Sequence, residues 1–549
     1  MDLLVLLAEH AGQVVTKEQI LDQVWQGRIV SESTLTGNIA ELRRLLGEGQ
    51  GSPRLFETIP KRGYRLIAPV AAGPPAPPRL AVLPFENLNR DPEEDYFADG
   101  MTEAVITELG KIASLRVISR QSVLPFRGTQ KSLSEIAREL KVDAVVEGSA
   151  LHARARVRVT AQLIQAEPEQ HLWAQSYECD LGDILGVQGQ VARAIAEAVH
   201  ATLTPQDLAR LSRSPQVNSE AHLAYLRARY HGDKWTQAGI QKAFAYLRQA
   251  VATDPTYAPA YTSLAKYLGV LGFWGHLPMR EASAKAREAV LKALELDESQ
   301  AEGHVVMSGV RWLIDWDLAA CEQQLRRAIE LNPSSESAHL WQAQFLLIIR
   351  QERGKALEEA RLALDLDPLS PSTNFGVAWL LLFADEHERA VDQARKTLEL
   401  YPDSPQAYYV LGWAYAARSM WPEAVHAFES AVAASRDTTS ISYLGHAYAR
   451  SGQNRAAQDL LEELRSKSVR EHVPPILFAL LYSGLGDFDR AFESLGRCYE
   501  ERDSHLFYLS VLPGFDPLRS DPRYEALLLR LGLPAQAAPA PEPSPRRKM

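Results

Sequence analysis

The sequence predicts three folds in succession: a small α+β module at the amino terminus, an α/β domain in the middle and an all-α superhelix of helical hairpins. Three observations carry this. Two short amphipathic helices are followed by a basic hairpin before residue 67, strands and helices then alternate as far as about residue 205, and small residues recur with a period near 34 from about residue 219 onward. A chain of 549 residues has room for three or more domains, and its 46% apolar content supplies packed cores for each.

In the first module, Thr16, Lys17, Glu18 and Gln19 open a helix through Ile20, Leu21 and Val24 that Trp25 and Gly27 end. A second helix over about 31–46, capped by Ser31, sets Leu35, Ile39, Leu42 and Leu46 at three- and four-residue intervals, which stack on one face and predict its core side. The opposite side collects Ser33, Gly37, Ala40 and Arg44, flanked by Glu41 and Arg43. Two strands, 54–59 and 64–67, then enclose the turn Pro60-Lys61-Arg62-Gly63. Two helices joined by a short turn make a helix-turn-helix.

Val30-Ser31-Glu32, the spaced Leu35, Ile39 and Leu42 with Arg43-Arg44, and Pro60-Lys61-Arg62-Gly63-Tyr64-Arg65-Leu66 resemble an OmpR/PhoB-type winged helix, in the variant of CadC/ToxR-like transcriptional regulators. The resemblance implies a second helix in the major groove of double-stranded DNA and a wing at the adjacent minor groove. By position it implies major-groove contacts from Ser33, Thr36, Gly37, Ala40 and Arg44 and wing contacts from Lys61 and Arg62. Arg43, Tyr64 and Arg65 complete the expected DNA-binding set. Family members commonly carry arginine where this chain has Ala40 and Glu41, so the reading face is poor in donors. Residues 1–66 hold eight Lys or Arg and eight Asp or Glu, with six of the bases between Arg43 and Arg65. Affinity scales with neutralised phosphates, and one such module predicts weak binding that relies on paired sites or a homodimer. The family also has strands ahead of its first helix, whereas Met1 falls inside that helix. The expectation is a true start upstream, and apolar side chains of residues 2–10 left exposed.

The Pro/Ala-rich stretch 68–78 predicts an extended linker, not the ~20-residue apolar span that would cross a membrane. The apolar start has Asp2 and Glu9 in place of a basic leader and lacks a small-residue cleavage site, which argues against export. Three solitary cysteines, Cys179, Cys321 and Cys498, suggest neither disulfides nor a CxxC metal site. A reducing cytoplasm is the expected location. The net charge of −10 argues against general coating of nucleic acid, though not against one basic patch.

Within 79–205, strands are expected at 80–85, 115–118, 144–148, 157–163 and 172–177, with helices at 102–112, 133–140 and 184–203. Ala81-Val82-Leu83-Pro84-Phe85, Tyr96-Phe97-Ala98-Asp99-Gly100, Val146-Glu147-Gly148-Ser149 and His171-Leu172-Trp173-Ala174 resemble the amino-terminal domain of TolB-like proteins. The acidic run Asp91, Glu93, Glu94, Asp95 and Asp99 has its glycine at the tenth position and not the sixth, unlike an EF-hand, so a solvated loop with a helix cap at Asp99-Gly100 is expected. Glu147 and His171 are read as structural and surface residues.

Ala243, Ala286, Cys321, Ala356, Ala390, Ala424, Ala457 and Ala491 lie 33 to 35 residues apart after a first interval of 43. Most are followed four residues later by a larger apolar partner such as Leu325 or Phe428, and Asp254-Pro255, Asn332-Pro333, Asp367-Pro368 and Tyr401-Pro402 punctuate the series. This is the tetratricopeptide signature. About eight repeats over 216–512 are expected, with an insertion near 269–280, a cap covering the last repeat at 513–533 and a disordered tail at 534–549. The tryptophans are expected to pack the hairpins. The family's concave groove implies a protein or peptide partner there.

Walker, HExxH, GxSxG and dinucleotide-binding motifs are missing, so neither an enzyme nor a cofactor or metal site is expected, and sharing middle and repeat regions with cyclases supplies no catalytic domain. The leading expectation is a sequence-specific, DNA-binding transcriptional regulator whose α/β domain and repeats sense a signal or partner. The alternative is a repeat-protein adaptor with a winged-helix remnant that no longer binds DNA.

Overall fold

The computed structural model describes residues 2–25, 32–46, 48, 55–68, 77–89, 91–153, 156–212, 217–233, 236–273, 277 and 279–533. The expected Ser31 cap, Gly27, most of the Pro/Ala linker, residues 274–276 and 278 of the expected insertion and the tail lie outside these residues. The chain divides into two compact units, 1–76 and 77–549.

The first unit holds α1 (Asp2–Glu9), β1 (Val15–Thr16), α2 (Lys17–Trp25), α3 (Glu32–Leu45), β2 (Phe56–Ile59) and β3 (Gly63–Leu66). The sheet order is β1-β3-β2, antiparallel throughout, with Val15 opposite Tyr64 and Thr58 opposite Tyr64 on the other side. Strand β1 was not expected from sequence, since two residues offer no periodicity. Thr16 and Gln19 cap α2 reciprocally, Gln19 N donating to Thr16 Oγ1 at 3.2 Å and Thr16 N to Gln19 Oε1 at 2.9 Å. Leu3, Leu6 and Leu7 are buried with Ile20, Leu35, Ile39, Phe56, Tyr64 and Leu66, which corrects the expectation that α1 displays its apolar side chains; Val5 alone among the strongly apolar residues of α1 is largely exposed, at 48%. Leu46 also departs from expectation. It lies past the end of α3 and is 45% exposed, because the hairpin covers the helix only as far as Leu42.

The second unit opens with the α/β domain. Strands β4 (Arg79–Val82), β6 (Arg116–Val117) and β7 (Ala144–Ala153) pair in parallel, and β8 (Arg156–Gln165) and β9 (Gln170–Asp180) extend β7 antiparallel, giving the order β6-β4-β7-β8-β9 with β5 (Glu86–Asn87) added to β7. Leu80 and Val82 point into a core with α4 (Asp95–Gly110) and α7 (Ile184–Ala198), whereas Ala81 and Leu83 join the core that contains Val123 of α5 (Arg120–Val123) and α6 (Leu133–Leu140). This is the period-2 alternation of a sheet covered on both faces. Two expectations need correction. The last helix stops at Ala198 and a separate α8 (Pro205–Leu211) follows, capped by Thr204 with Asp207. Asp99 is no cap; it lies inside α4, buried, and pairs with Arg120 at 3.2 Å and with Arg127. Asp91 caps the short 3-10 turn instead, accepting from Glu93 N at 3.0 Å.

Sixteen helices, α9 (Ser219–Gly232) to α24 (Phe488–Glu501), form eight antiparallel hairpins among the described residues. All eight periodic small residues are buried. A Cβ on Gly412 of α19 (Pro405–Ala417) would lie 2.4 Å from the Phe428 ring of α20 (Trp421–Ala434), which is why that crossing needs a residue without a side chain. Trp312 and Trp413 are fully buried, and Trp316, Trp341, Trp379 and Trp421 pack against the same core. The third hairpin contains one π-helical turn, Val310–Asp315, which Trp316 closes in the left-handed region.

Hairpins three and eight touch. Arg502 donates to Ile314 O at 3.2 Å, and the Trp316 and Tyr499 rings stand 5.2 Å apart. The segment after α24 is more than a cap on the last repeat. Phe507 packs on Trp312, Tyr508 donates to Gln344 Oε1 and packs on Phe383, and Gly514 approaches Trp413 while its carbonyl accepts from Ser483. One stretch of about fifteen residues therefore touches the first helices of hairpins three, four, five, six and eight. Only hairpins that curve around it allow this. The expected open concave groove is thus filled, along these hairpins, by the chain's own Leu506, Phe507, Leu509, Phe515 and Leu518, all at most 1% exposed. The helix α25 (Pro522–Arg530) lies against α24, with Arg530 over Tyr499 and Arg523 bonded to Asp489.

The α/β domain is fastened to the repeats by buried polar contacts. Ser119 and Ser122 each donate to Asp367 Oδ1 at 2.7 Å, and Ser119 N donates to Leu366 O at 2.8 Å. At the first hairpins, Arg229 of α9 pairs with Glu103 of α4, with Asp233 at 3.1 Å and with Glu302 of α13 (Ala301–Gly309) at 3.4 Å.

Candidate nucleic-acid interface

Helix α3 buries Leu35 and Ile39 and turns Ser33, Thr34, Gly37, Ala40, Glu41 and Arg44 to solvent. At 100° per residue these six occupy one side, with Gly37 near its middle. Gly37 has nothing within 4 Å of where a Cβ would stand, so a flat surface can approach the backbone there. Thr36 is exposed at the margin of this face, its Oγ1 3.5 Å from the Tyr64 hydroxyl.

The hairpin tip consists of Pro60, Lys61 and Arg62, all exposed. Lys61 takes a left-handed φ of 63°, and Arg62 N donates to Ile59 O at 3.1 Å to close the turn. Gly63 is required by β1: a Cβ there would stand 2.0 Å from Val15 O. Lys17 N donates to Arg62 O at 3.1 Å, which fixes the tip against the start of α2.

The structure divides the expected residues into two groups. Ser33, Thr36, Gly37, Ala40, Arg44, Lys61 and Arg62 are exposed on α3 and the wing tip. Arg43, Tyr64 and Arg65 are engaged within the domain. Arg43 donates to Phe56 O at 3.3 Å and Thr58 Oγ1 at 3.0 Å and pairs with Glu48 at 3.3 Å, tying α3 to β2. Tyr64 is 4% exposed in the core between β1 and β2. Arg65 bonds across the strand pair to Glu57, donating from Nε at 2.9 Å. Arg43 and Arg65 sit in the sequence like surface cations, and only the fold shows the acids and carbonyls beside them.

Arg44 donates from Nε and Nη2 to the two oxygens of Glu41, at 2.9 and 2.5 Å. This hydrogen bonding lowers the Glu41 pKa and raises that of Arg44. Among the described residues of this unit, Lys61 and Arg62 are the cations without an ion pair. The sequence reading takes Glu41 only as a missing donor; its i,i+3 spacing from Arg44 is the available signal for a pair.

Elsewhere, Glu147 accepts from Gln162 at 2.9 Å, and His171 is exposed. Among the described residues no group of three or more His, Cys, Asp or Glu is placed to hold a metal ion, and no helix is long and apolar enough to cross a membrane.

Residues 1–66 match the family described as "Transcriptional regulatory protein, C terminal", and residues 77–193 match "HilA/YgeH-like transcriptional regulator, second domain". A Rhizobium meliloti protein named "Putative adenylate cyclase 3" is 34% identical over 46% of this chain and 44% of its own length. Transcriptional regulator HilA of Salmonella typhimurium is 28% identical over 54% of this chain and 53% of its own. Transcriptional activator CadC of Escherichia coli is 43% identical over 13% of this chain and 14% of its own. The chain spans about half the length of the first two of these relatives. At its amino terminus it carries a winged helix of the transcriptional regulatory protein family, and after it a HilA/YgeH-like second domain.

Proposed function

We propose that this protein is a sequence-specific transcriptional regulator of the cytoplasm that binds double-stranded DNA through α3 and the 60–63 wing. The observation that carries the reading is the exposed small-residue face of α3 in the same small domain as the unpaired Lys61 and Arg62. Helix α3 enters the major groove with Ser33, Gly37, Ala40 and Arg44 toward the bases and Thr36 at the margin. Lys61 and Arg62 hold the backbone beside it. Arg43, Tyr64 and Arg65 fix the angle between helix and wing and do not touch DNA. With two cations outside ion pairs among the described residues of each module, occupancy requires paired modules, so the active species on DNA is a homodimer or a set of adjacent copies. The α/β domain and the repeats, joined by buried contacts, receive the signal or protein partner as one body. A partner that uses the inner face of hairpins three to eight must displace residues 504–518, whereas the outer helices are open to it. No catalytic role is proposed.

The same scarcity of free cations favours one competing reading, an adaptor whose winged helix no longer binds DNA. A salt series on duplex binding separates the two. Each neutralised phosphate contributes about 0.9 to the slope of log affinity against log salt. The double variant Lys61→Ala/Arg62→Ala is expected to flatten that slope by about 1.8 per module. An unchanged slope removes the wing assignment, and no duplex binding by the parent protein even at low salt leaves the adaptor.

A further inference from the structure

The exposed side of α3 is built almost wholly from short side chains. Ser33, Thr34, Gly37 and Ala40 reach little beyond the backbone, so the long groups among these six residues are Glu41 and Arg44. These two are joined by a two-point hydrogen bond, Arg44 Nε and Nη2 to the two Glu41 oxygens, on a pair that is 71% and 51% exposed. Such an exposed pair is worth little in water and exchanges partners freely. The guanidinium edge it occupies is the same edge that a guanine O6/N7 pair accepts from, and a carboxylate accepts from cytosine N4. The residues lie three apart, which is about 4.5 Å along the helix axis and close to the ~3.4 Å rise of one base-pair step.

We propose that Glu41 and Arg44 form the specificity-determining pair of α3: on DNA the internal bond opens, Arg44 donates to a guanine and Glu41 accepts from a cytosine on the same or the neighbouring base pair. This rests on the DNA-binding reading above and names the base chemistry that reading leaves open. The physical logic is exchange. Against G·C pairs both groups trade one good partner for another. Against A·T pairs Arg44 loses the two-acceptor guanine edge and meets adenine N7 or thymine O4 singly, and adenine N6 can donate to Glu41 only beside the repelling N7; against phosphate alone Glu41 is an unpaired carboxylate in a negative groove. Glu41 therefore weakens binding to random duplex and sharpens the choice of sequence, and Arg44 is withheld from non-specific use until a guanine replaces its internal partner. A Gly37 and Ala40 platform lets the backbone come near enough for both side chains to reach base edges.

The test uses the full-length chain, a randomised duplex pool for selection and one mixed-sequence duplex for salt-dependent affinity. The parent protein is expected to select a fixed G·C pair within each half-site. Glu41→Ala is expected to lose that preference while keeping the flanking ones, to bind the mixed-sequence duplex several-fold tighter, and to steepen the salt slope by about one as Arg44 becomes free for phosphate. Glu41→Gln keeps an acceptor without the charge, so it steepens the slope but retains the preference for cytosine. Arg44→Ala loses the guanine preference, with discrimination at that pair falling about 5- to 150-fold. All these side chains are exposed, so the variants fold as the parent does. The pair is refuted if Glu41→Ala selects the same sequences with the same slope as a parent protein that does bind duplex. If the parent binds no duplex, it is the DNA-binding reading that fails, and the two failures are told apart by that one measurement.

Discussion

Replacing Arg229 with methionine removes one guanidinium that serves three carboxylates, Glu103 of α4, Glu302 of α13 and Asp233 at the end of α9, in the joint between the α/β domain and the repeats. Arg229 is 12% exposed, and it bonds Glu103, Asp233 and Glu302. Breaking a buried ion pair from one side costs about 3–5 kcal/mol, because the remaining charge stays buried. The lower end applies here. Asp233 keeps Arg120 at 3.4 Å and the Tyr267 hydroxyl at 2.9 Å, Glu302 keeps Lys266 at 2.7 Å, and Glu103 is 23% exposed and recovers some water. About 3 kcal/mol corresponds to roughly a hundredfold change in an opening equilibrium. A chain with several folded units does not unfold in one step, so the assay is native-state hydrogen exchange of amides in α4 and α9. They are expected to exchange on the order of 100-fold faster in Arg229→Met.

The pH dependence gives a second, independent readout. Burial alone would raise the Asp233 pKa, but Arg229, then Lys266 and Arg120, outweigh it and hold the carboxyl well below its ordinary value of 3.8. Glu302 is likewise lowered against its burial by Lys266 and Arg229. Stability from a depressed carboxylate is fully present above its unfolded pKa and lost as pH falls through the folded one. Without Arg229 the depression shrinks and the acids take up protons earlier. The gap between parent and variant should therefore be widest above about pH 5 and narrow as pH drops toward about 3. A gap that stays constant across this range, or an exchange rate within about threefold of the parent, refutes the electrostatic account of the joint.

Two further outcomes follow from burial. Burial and the neighbouring Asp367 raise the Glu336 carboxyl from 4.5 to about 7; the folded state thus holds an extra proton between those values, and stability falls as pH rises through them, by about 1–3 kcal/mol. Glu336→Gln should flatten the profile of unfolding midpoint against pH over that window, and parallel profiles would dismiss the assignment. Phe507 is fully buried with its ring 6.0 Å from Trp312 and 5.8 Å from Trp316. Phe507→Ala should cost about 3–5 kcal/mol and lower the melting temperature of the repeat array, with a change in tryptophan emission; an unaltered melt would mean that residues 504–518 do not hold hairpins three and eight together.

Much of the local structure was legible because it is written in residues a few positions apart. The 3.6-residue period of α3, the turn at 60–63, the alternation along β8 and the 34-residue recurrence of Ala356, Ala390 and Ala424 each follow from geometry internal to one element or one hairpin. The exposure of Ser33, Thr36, Gly37, Ala40, Arg44, Lys61 and Arg62 was legible for the same reason. Where the structure adds what the sequence does not show, the deciding partner is distant. Arg43 and Arg65 look like surface bases until Thr58 and Glu57 arrive beside them, Tyr64 looks like a wing contact until β1 pairs with β3, and Asp99 looks like a cap until Arg120 and Arg127 enclose it. The return of residues 504–518 along the first helices of five hairpins has no local signal, since its partners lie up to about 200 residues away and meet it only because the array curves. Sequence by itself determined which elements form and which faces are apolar, for those depend on side-chain periodicity. Tertiary structure alone decided which charges remain free to meet a ligand, because a charge is spent or available only according to what the folded chain brings within hydrogen-bond distance.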